Sequence, residues 1–225
     1  MISCSDYRYE RKMSTSLDRQ ECISLVKKHP AIFSEIYYER YVNSIYFDSL
    51  DKKCYFDALD GVSKKVKFRI RWYGDLFGDV RKPILELKIR EGQLIKKMLV
   101  PVKRFSISQN DFSISSNILT KSNIPEWLRL HVMFKEPVLL VRFLRKYFLS
   151  GDGLYRITID SDVQYYPMGL LSNVLLCKIY DFNTILELKY NTEDDEKAEK
   201  VTNFFPFRII KNSKYIRGLE KLNLW

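Results

Sequence analysis

From Lys65 to Trp72 the chain alternates without a break, with Lys65, Lys67, Arg69 and Arg71 at one parity and Val66, Phe68, Ile70 and Trp72 at the other. Successive side chains of a β-strand point to opposite faces, so this stretch reads as a strand with one cationic and one apolar side. The apolar side has to bury itself against something, and that burial aims the cations together into one space. Like charges crowded in this way repel one another unless an anion joins them. Taken alone, the pattern also fits a half-buried strand with its charges in water.

The same arrangement recurs along the chain. Arg8, Glu10 and Lys12 alternate with Tyr7, Tyr9, Arg11 and Met13, and Glu86, Lys88 and Arg90 alternate with Leu85, Leu87 and Ile89. Arg156, Thr158 and Asp160 share one face, and Glu187 and Lys189 oppose Leu186, Leu188 and Tyr190. Strand-like runs lie near 5–13, 37–48, 64–74, 82–90, 94–102, 138–148, 154–165 and 184–191, rich in Tyr, Phe, Ile and Val. Helical patterns are fewer: Leu17 to Lys28 with Pro30 as a stop, Leu50 to Leu59, Ile124 to Phe134 with Pro125 as first helical residue, and Asp194 to Asn203. This inventory predicts an α+β chain, mainly antiparallel β, closed into a barrel with peripheral helices. A conventional barrel puts its charges outside. An inverse one keeps them in the lumen and covers its apolar faces with helices, loops or a partner subunit. The strand patterns do not choose between the two.

The formal charge of +10 attracts polyanions, whether nucleic acid, an anionic membrane surface or phosphorylated small molecules. No apolar run approaches the roughly 20 residues that span a bilayer, and Met1 to Asp6 lacks the pattern of a signal peptide, so a cytoplasmic protein is expected. Cys4, Cys22, Cys54 and Cys177 are scattered and show no metal-ligand spacing, which predicts reduced thiols. His29 and His131 are expected in packing or surface roles, and catalysis by a Ser-His-Asp or Cys-His arrangement has no support. Trp72, Tyr73, Phe47 and Tyr46 are expected to pack the barrel.

Several strings in order resemble a known family. They are Arg8-Tyr9-Glu10-Arg11-Lys12, Ser44-Ile45-Tyr46-Phe47-Asp48 and Lys67-Phe68-Arg69-Ile70-Arg71-Trp72-Tyr73-Gly74, then Leu85-Glu86-Leu87-Lys88 and Phe143-Leu144-Arg145. Arg156-Ile157-Thr158-Ile159-Asp160, Leu186-Glu187-Leu188-Lys189 and Ser213-Lys214-Tyr215-Ile216-Arg217-Gly218 complete the series. Together they resemble the VTC domain, the catalytic domain of the vacuolar transporter chaperone family and its stand-alone bacterial relatives, within the triphosphate tunnel superfamily. The resemblance covers nearly the whole chain, so residues 1–225 are expected to form one such domain.

The resemblance implies an eight-stranded antiparallel tunnel in which basic residues grip a triphosphate and an acidic residue binds Mn²⁺ or Mg²⁺. It marks Lys12, Arg69, Arg71, Lys88, Arg145, Arg156 and Lys214 as phosphate ligands, and Glu187, with Glu10, as metal ligands. Lys65, Lys67, Arg8 and Lys189 would add substrate-binding charge. Arg8 stands where hydrolytic tunnel enzymes place the first glutamate of E-x-E-x-K, which disfavours a two-metal hydrolytic site. The implied reaction moves the γ-phosphoryl group of ATP onto a growing polyphosphate chain, with ATP and polyphosphate as partners. An open tunnel would let the polymer leave as the next nucleotide enters. Positioning and charge neutralisation supply most of such catalysis, so no histidine or serine constellation is required. A triphosphatase and a non-catalytic polyphosphate or inositol-phosphate sensor are the alternatives. Nucleic acid is not expected as a partner, because the cations face away from their aromatic neighbours in sequence. Export of a polymer would need a membrane-protein partner that the sequence does not identify.

Overall fold

The structure, a computed structural model, describes residues 3–4, 7–108, 117–168 and 178–225. Cys177 lies outside them. The strands are β1 (Ser3–Cys4), β2 (Arg8–Thr15), β3 (Ser34–Asp48), β4 (Lys64–Tyr73), β5 (Gly78–Val80), β6 (Ile84–Glu91), β7 (Leu94–Pro101), β8 (Phe105–Ile107), β9 (Glu136–Leu149), β10 (Arg156–Pro167), β11 (Ile179–Asp181) and β12 (Thr184–Asn191). The helices are α1 (Arg19–Lys27), α2 (Lys53–Leu59), α3 (Asn117–Lys121), α4 (Glu126–Val132), α5 (Asp195–Asn203) and α6 (Lys214–Leu222). Hydrogen bonds run β7–β2–β12–β10–β9–β3–β4–β6 and return from β6 to β7, so eight antiparallel strands close a ring. Closure satisfies the backbone groups that an open sheet would leave at its edges. The eight strand-like runs of the sequence correspond to these strands.

The barrel is the inverse kind. Ile45, Phe47, Phe68, Ile70, Trp72, Leu85 and Leu87 point outward, where Leu119 of α3, Leu128 and Val132 of α4, and the β5–β8 pair cover them. On the far side, Met13, Ile157, Ile159, Leu186 and Leu188 pack beneath Cys22, Ile23 and Val26 of α1 and Ala198 and Val201 of α5. Covering both flanks with helices removes the apolar faces from water and leaves the charged faces for the inside.

Local rules explain the covering elements. Asp18 starts α1 with a reciprocal cap, its Oδ1 accepting from Glu21 N at 2.9 Å while its own N–H donates to Glu21 Oε2 at 2.8 Å. Pro125 precedes α4 as its N-cap, one position earlier than expected, and Glu126 is the first helical residue. His29 is buried between α1 and α5, within 3.0 Å of the Val201 carbonyl through Nε2 and ring-stacked with Phe205, a packing role as expected. Cys4, Cys22 and Cys54 are free thiols.

Helix α6 did not emerge from the sequence pattern, and it changes the shape of the tunnel. Its Tyr215 and Leu219 pack on Tyr46, Leu139, Val141 and Tyr165, which belong to the lumen-facing parity of their strands. The approach is close enough that a Cβ on Gly218 would lie 2.6 Å from both Leu139 Cδ2 and Tyr165 Cδ1. The Tyr215 hydroxyl donates to Asp48, Arg217 pairs with Asp181, and Lys214 reaches Asp160 at 2.5 Å. One end of the barrel is therefore stoppered. The open tunnel expected from the resemblance is closed at this end by these contacts.

Candidate active site

Antiparallel register fixes which side chains share the lumen. Lys67 pairs with Lys88, and Lys88 with Lys97; Arg69 pairs with Tyr46 and Glu86; Thr158 pairs with Tyr147 and Glu187, and Glu187 with Lys12. Paired residues project to the same face. Charge from seven strands and α6 thus converges on one space.

Three knots of ion pairs organise it. In the first, Glu86 accepts from Arg69 Nε at 2.9 Å and Nη2 at 2.5 Å and meets Arg71 Nη1 at 3.1 Å, while Arg69 Nη1 donates to the Tyr46 hydroxyl at 3.0 Å. Burial alone would raise the pKa of Glu86, but Arg69 and Arg71 outweigh it and hold the carboxyl well below the usual carboxylate range. In the second, Lys88 lies 2.6 Å from Glu10, and Glu187 is surrounded by Lys189 at 3.3 Å, Arg145 at 3.4 Å and Lys12 at 3.9 Å. Burial again opposes the charge of Glu187, and Lys189, Lys12 and Arg145 overcome it. In the third, Arg145 Nε and Nη2 donate to the two oxygens of Asp160 at 2.5 and 2.6 Å, and Lys214 completes the set. Burial would lift Asp160, yet Arg145 and Lys214 bring it down to about 2.

The balance is not even. Lys12, Lys67, Arg69, Arg71, Lys88, Lys97, Arg145, Lys189 and Lys214 outnumber Glu10, Glu86, Asp160 and Glu187. The surplus shows at Lys67, which donates to Ser213 Oγ at 2.9 Å and whose pKa is pushed down to about 7 by burial, then by Lys88 and Lys12. Lys97 is likewise held well below the usual lysine range, by burial and then by Lys189 and Lys88. Among the described residues, Ser44 Oγ, Thr158 Oγ1 and Arg71 Nε are buried without a hydrogen-bond partner. Unsatisfied polar atoms are costly in a folded interior, and here they stand on the lumen face.

The structure brings together Lys12, Lys67, Arg69, Arg71, Lys88, Arg145, Lys189, Lys214, Glu10 and Glu187 of the residues expected from the sequence. Lys65 sits half-buried, its pKa lowered by burial and then by Arg90 and Lys211. Arg8 and Arg156 carry the lumen parity but are exposed at the ends of their strands. Lys97, Glu86 and Asp160 were not assigned a role. Lys97 was hidden because β7 reads Ile95-Lys96-Lys97-Met98, with no alternation. Counting across the Gly92–Gln93 turn, where Glu91 faces Leu94, would have placed it opposite Lys88. Tyr46 packs as expected, on the lumen side in the cluster beneath α6, and Phe47 and Trp72 pack outside the barrel; the packing role expected for Tyr73 is corrected, since it stands on the lumen parity and stays open to solvent.

A divalent metal has a limited fit. Glu10 and Glu187 are hard oxygen donors close enough for each to feel the other's charge. Among the described residues, no group of three or more His, Cys, Asp or Glu is placed to hold an ion. One or two carboxylates suit Mg²⁺ or Mn²⁺ that arrives with phosphate oxygens and water in its shell, rather than an ion held by protein alone.

This geometry coincides with a family match, because the VTC domain family aligns with residues 7–223. The chain belongs to the VTC domain family. Solved structures agree on the fold. A candidate adenylyl cyclase from Hippeastrum, reported to have a dominant triphosphatase activity, superposes with a TM-score of 0.54 at 15% identity, covering 96% of this chain and 96% of that one. A protein from Pyrococcus horikoshii OT3 gives 0.52 at 16% identity over 95% and 99% of the two chains. A candidate adenylate cyclase from Bacillus halodurans gives 0.52 at 11% over 94% and 97%. A comparison with curated proteins gives no match. Like its family, this VTC domain is a triphosphate tunnel fold. No helix among its described residues is long and apolar enough to cross a membrane.

Proposed function

We propose that this VTC domain binds the triphosphate of ATP in its lumen and transfers the γ-phosphoryl group to a growing polyphosphate chain. The observation that carries the reading is the excess of buried cations around Ser44 Oγ, Thr158 Oγ1 and Arg71 Nε, three atoms without a hydrogen-bond partner among the described residues. A linear polyphosphate offers oxygens to all of them at once and removes the repulsion felt by Lys67.

In this reading Lys12, Arg69, Arg71, Lys88, Arg145 and Lys214 grip the phosphates, joined by Lys67 and Lys97. Lys189, Arg8 and Arg156 raise the potential along the path of entry, and Lys65 adds positive charge at the α6 end. Glu86 and Asp160 keep the arginines aimed, so that little reorganisation is needed as charge spreads over the transferring group. Glu187 and Glu10 would hold a metal ion shared with phosphate oxygens; such an ion neutralises charge and polarises the phosphoryl group.

The stopper formed by α6 favours a second reading, a triphosphatase, because a lengthening polymer has no separate exit. One experiment decides. The pure protein is incubated with ATP and Mn²⁺ and the products are run on a gel. A ladder of polyphosphate supports the polymerase, whereas orthophosphate or pyrophosphate alone supports the triphosphatase. Glu187→Ala should lose turnover in either case; a sensor would show no turnover to lose and would keep most of its affinity.

A further inference from the structure

The end of the barrel opposite α6 carries a feature that phosphate binding does not use. Arg40 of β3 pairs in register with Arg145, Tyr37 with Tyr147, and Val42 with Tyr73, so Arg40, Tyr37, Tyr73 and Tyr147 share the lumen parity. The Arg40 guanidinium lies 4.0 Å from the Tyr73 ring centroid, 5.0 Å from that of Tyr147 and 5.7 Å from that of Tyr37. Its Nε donates to the Tyr147 hydroxyl at 3.2 Å. Tyr37 and Tyr147 meet edge to face at 5.5 Å. Despite these contacts the cluster stays open, with Tyr73 44% and Tyr37 53% exposed.

Its position relative to the cations is set by the strands. Tyr73 follows Arg71, and Tyr147 follows Arg145, by two residues on the same face. Two residues advance a strand by about 7 Å. The rings therefore stand one step outward of Arg71 and Arg145, at the mouth, where the part of a bound molecule beyond its last phosphate would lie. Arg40 makes no ion pair with a described carboxylate, and its guanidinium lies over rings instead.

We propose that Arg40, Tyr37, Tyr73 and Tyr147 form a cage for the base of a nucleoside triphosphate, with Tyr73 as its principal stacking surface. Aromatic rings and guanidinium planes stack on any nucleobase, because every base has a π-face. The inference rests on the reading of the lumen as a triphosphate site and adds what that reading lacks, a preference for nucleotides over inorganic tripolyphosphate. Phosphates go to the inner cations and the base remains at the rim.

The test compares two ligands on the intact protein. Binding of ATP and of inorganic tripolyphosphate is measured by calorimetry for the wild type, Tyr73→Ala and Tyr73→Phe. Loss of stacking should weaken ATP about tenfold in Tyr73→Ala. Tripolyphosphate should stay within about twofold of its wild-type affinity, which also shows that the variant is folded, and Tyr73→Phe should restore ATP binding. Equal loss for both ligands, or no loss for ATP, overturns the cage. So does a wild-type protein that takes tripolyphosphate and refuses ATP, an outcome that leaves the tunnel reading standing. Failure to bind either ligand removes both.

Discussion

Lys67 is where the electrostatics of the lumen can be measured at a single residue. Its pKa falls from an ordinary 10.5 to about 7 because burial strips its water, and because Lys88 and Lys12 add repulsion. Near neutral pH the folded chain has released a proton that the unfolded chain keeps. Stability therefore rises with pH between about 7 and 10, the direction required when the unfolded state binds more protons. A bound polyanion reverses the local field and returns the proton. Tripolyphosphate binding at pH 7.5 should accordingly take up protons, seen as a heat that varies with the ionisation enthalpy of the buffer. The uptake should shrink in Lys67→Met, and a wild-type heat independent of buffer would contradict the assignment. None of this could be read from sequence beyond the presence of the cation, since alternation gives a residue's face but not its depth.

At the scale of elements, the strands were the legible part. Their period-2 patterns follow directly from one buried and one charged face, and the five patterned segments all became walls of the ring. What alternation could not supply was the choice between inside and outside. That depended on α1, α3, α4 and α5 covering the apolar faces, which is a fact of tertiary packing. Helix α6 was missed for a related reason. It is short and carries Gly218, a poor helix former, in the middle of a stripe made by Tyr215, Ile216, Leu219 and Leu222. Gly218 is nonetheless required, because any Cβ there collides with Leu139 and Tyr165. Both neighbours are wholly buried and have nowhere to go. Gly218→Ala should therefore lower stability by about 1–3 kcal/mol, the usual range for overpacking. It should also loosen the hold of Lys214 on Asp160. Thermal melts give the first effect, and increased amide exchange confined to residues 214–222 gives the second. A melt unchanged from wild type would show that α6 packs less tightly than its contacts imply.

For the molecule as a whole, inversion of the barrel separates two tasks. Stability comes from the outer clusters, where helices bury the apolar faces, and from the cluster beneath α6 at one end, and the rest of the lumen is left with a charge pattern that stability alone would not favour. Such a division lets the interior be tuned for a ligand while the shell keeps the fold. It also makes the site legible as a family pattern but not as a working geometry. The strings around Arg69, Arg145, Glu187 and Lys214 lead to residues that share the lumen, while the pairing of Glu86 and Asp160 with arginines, and the place of Lys97, follow only from cross-strand register.

The stopper has one more consequence. A vessel with a floor and a single rim has a fixed depth, and here Lys67 near the floor and Tyr73 at the rim lie six residues apart on β4, roughly 20 Å along the strand. A linear phosphate chain can gain contacts only until it spans that distance, after which further links hang in solvent. Affinity measured across a series of inorganic polyphosphates should climb with length and then level off, so the closed end turns the tunnel into a ruler.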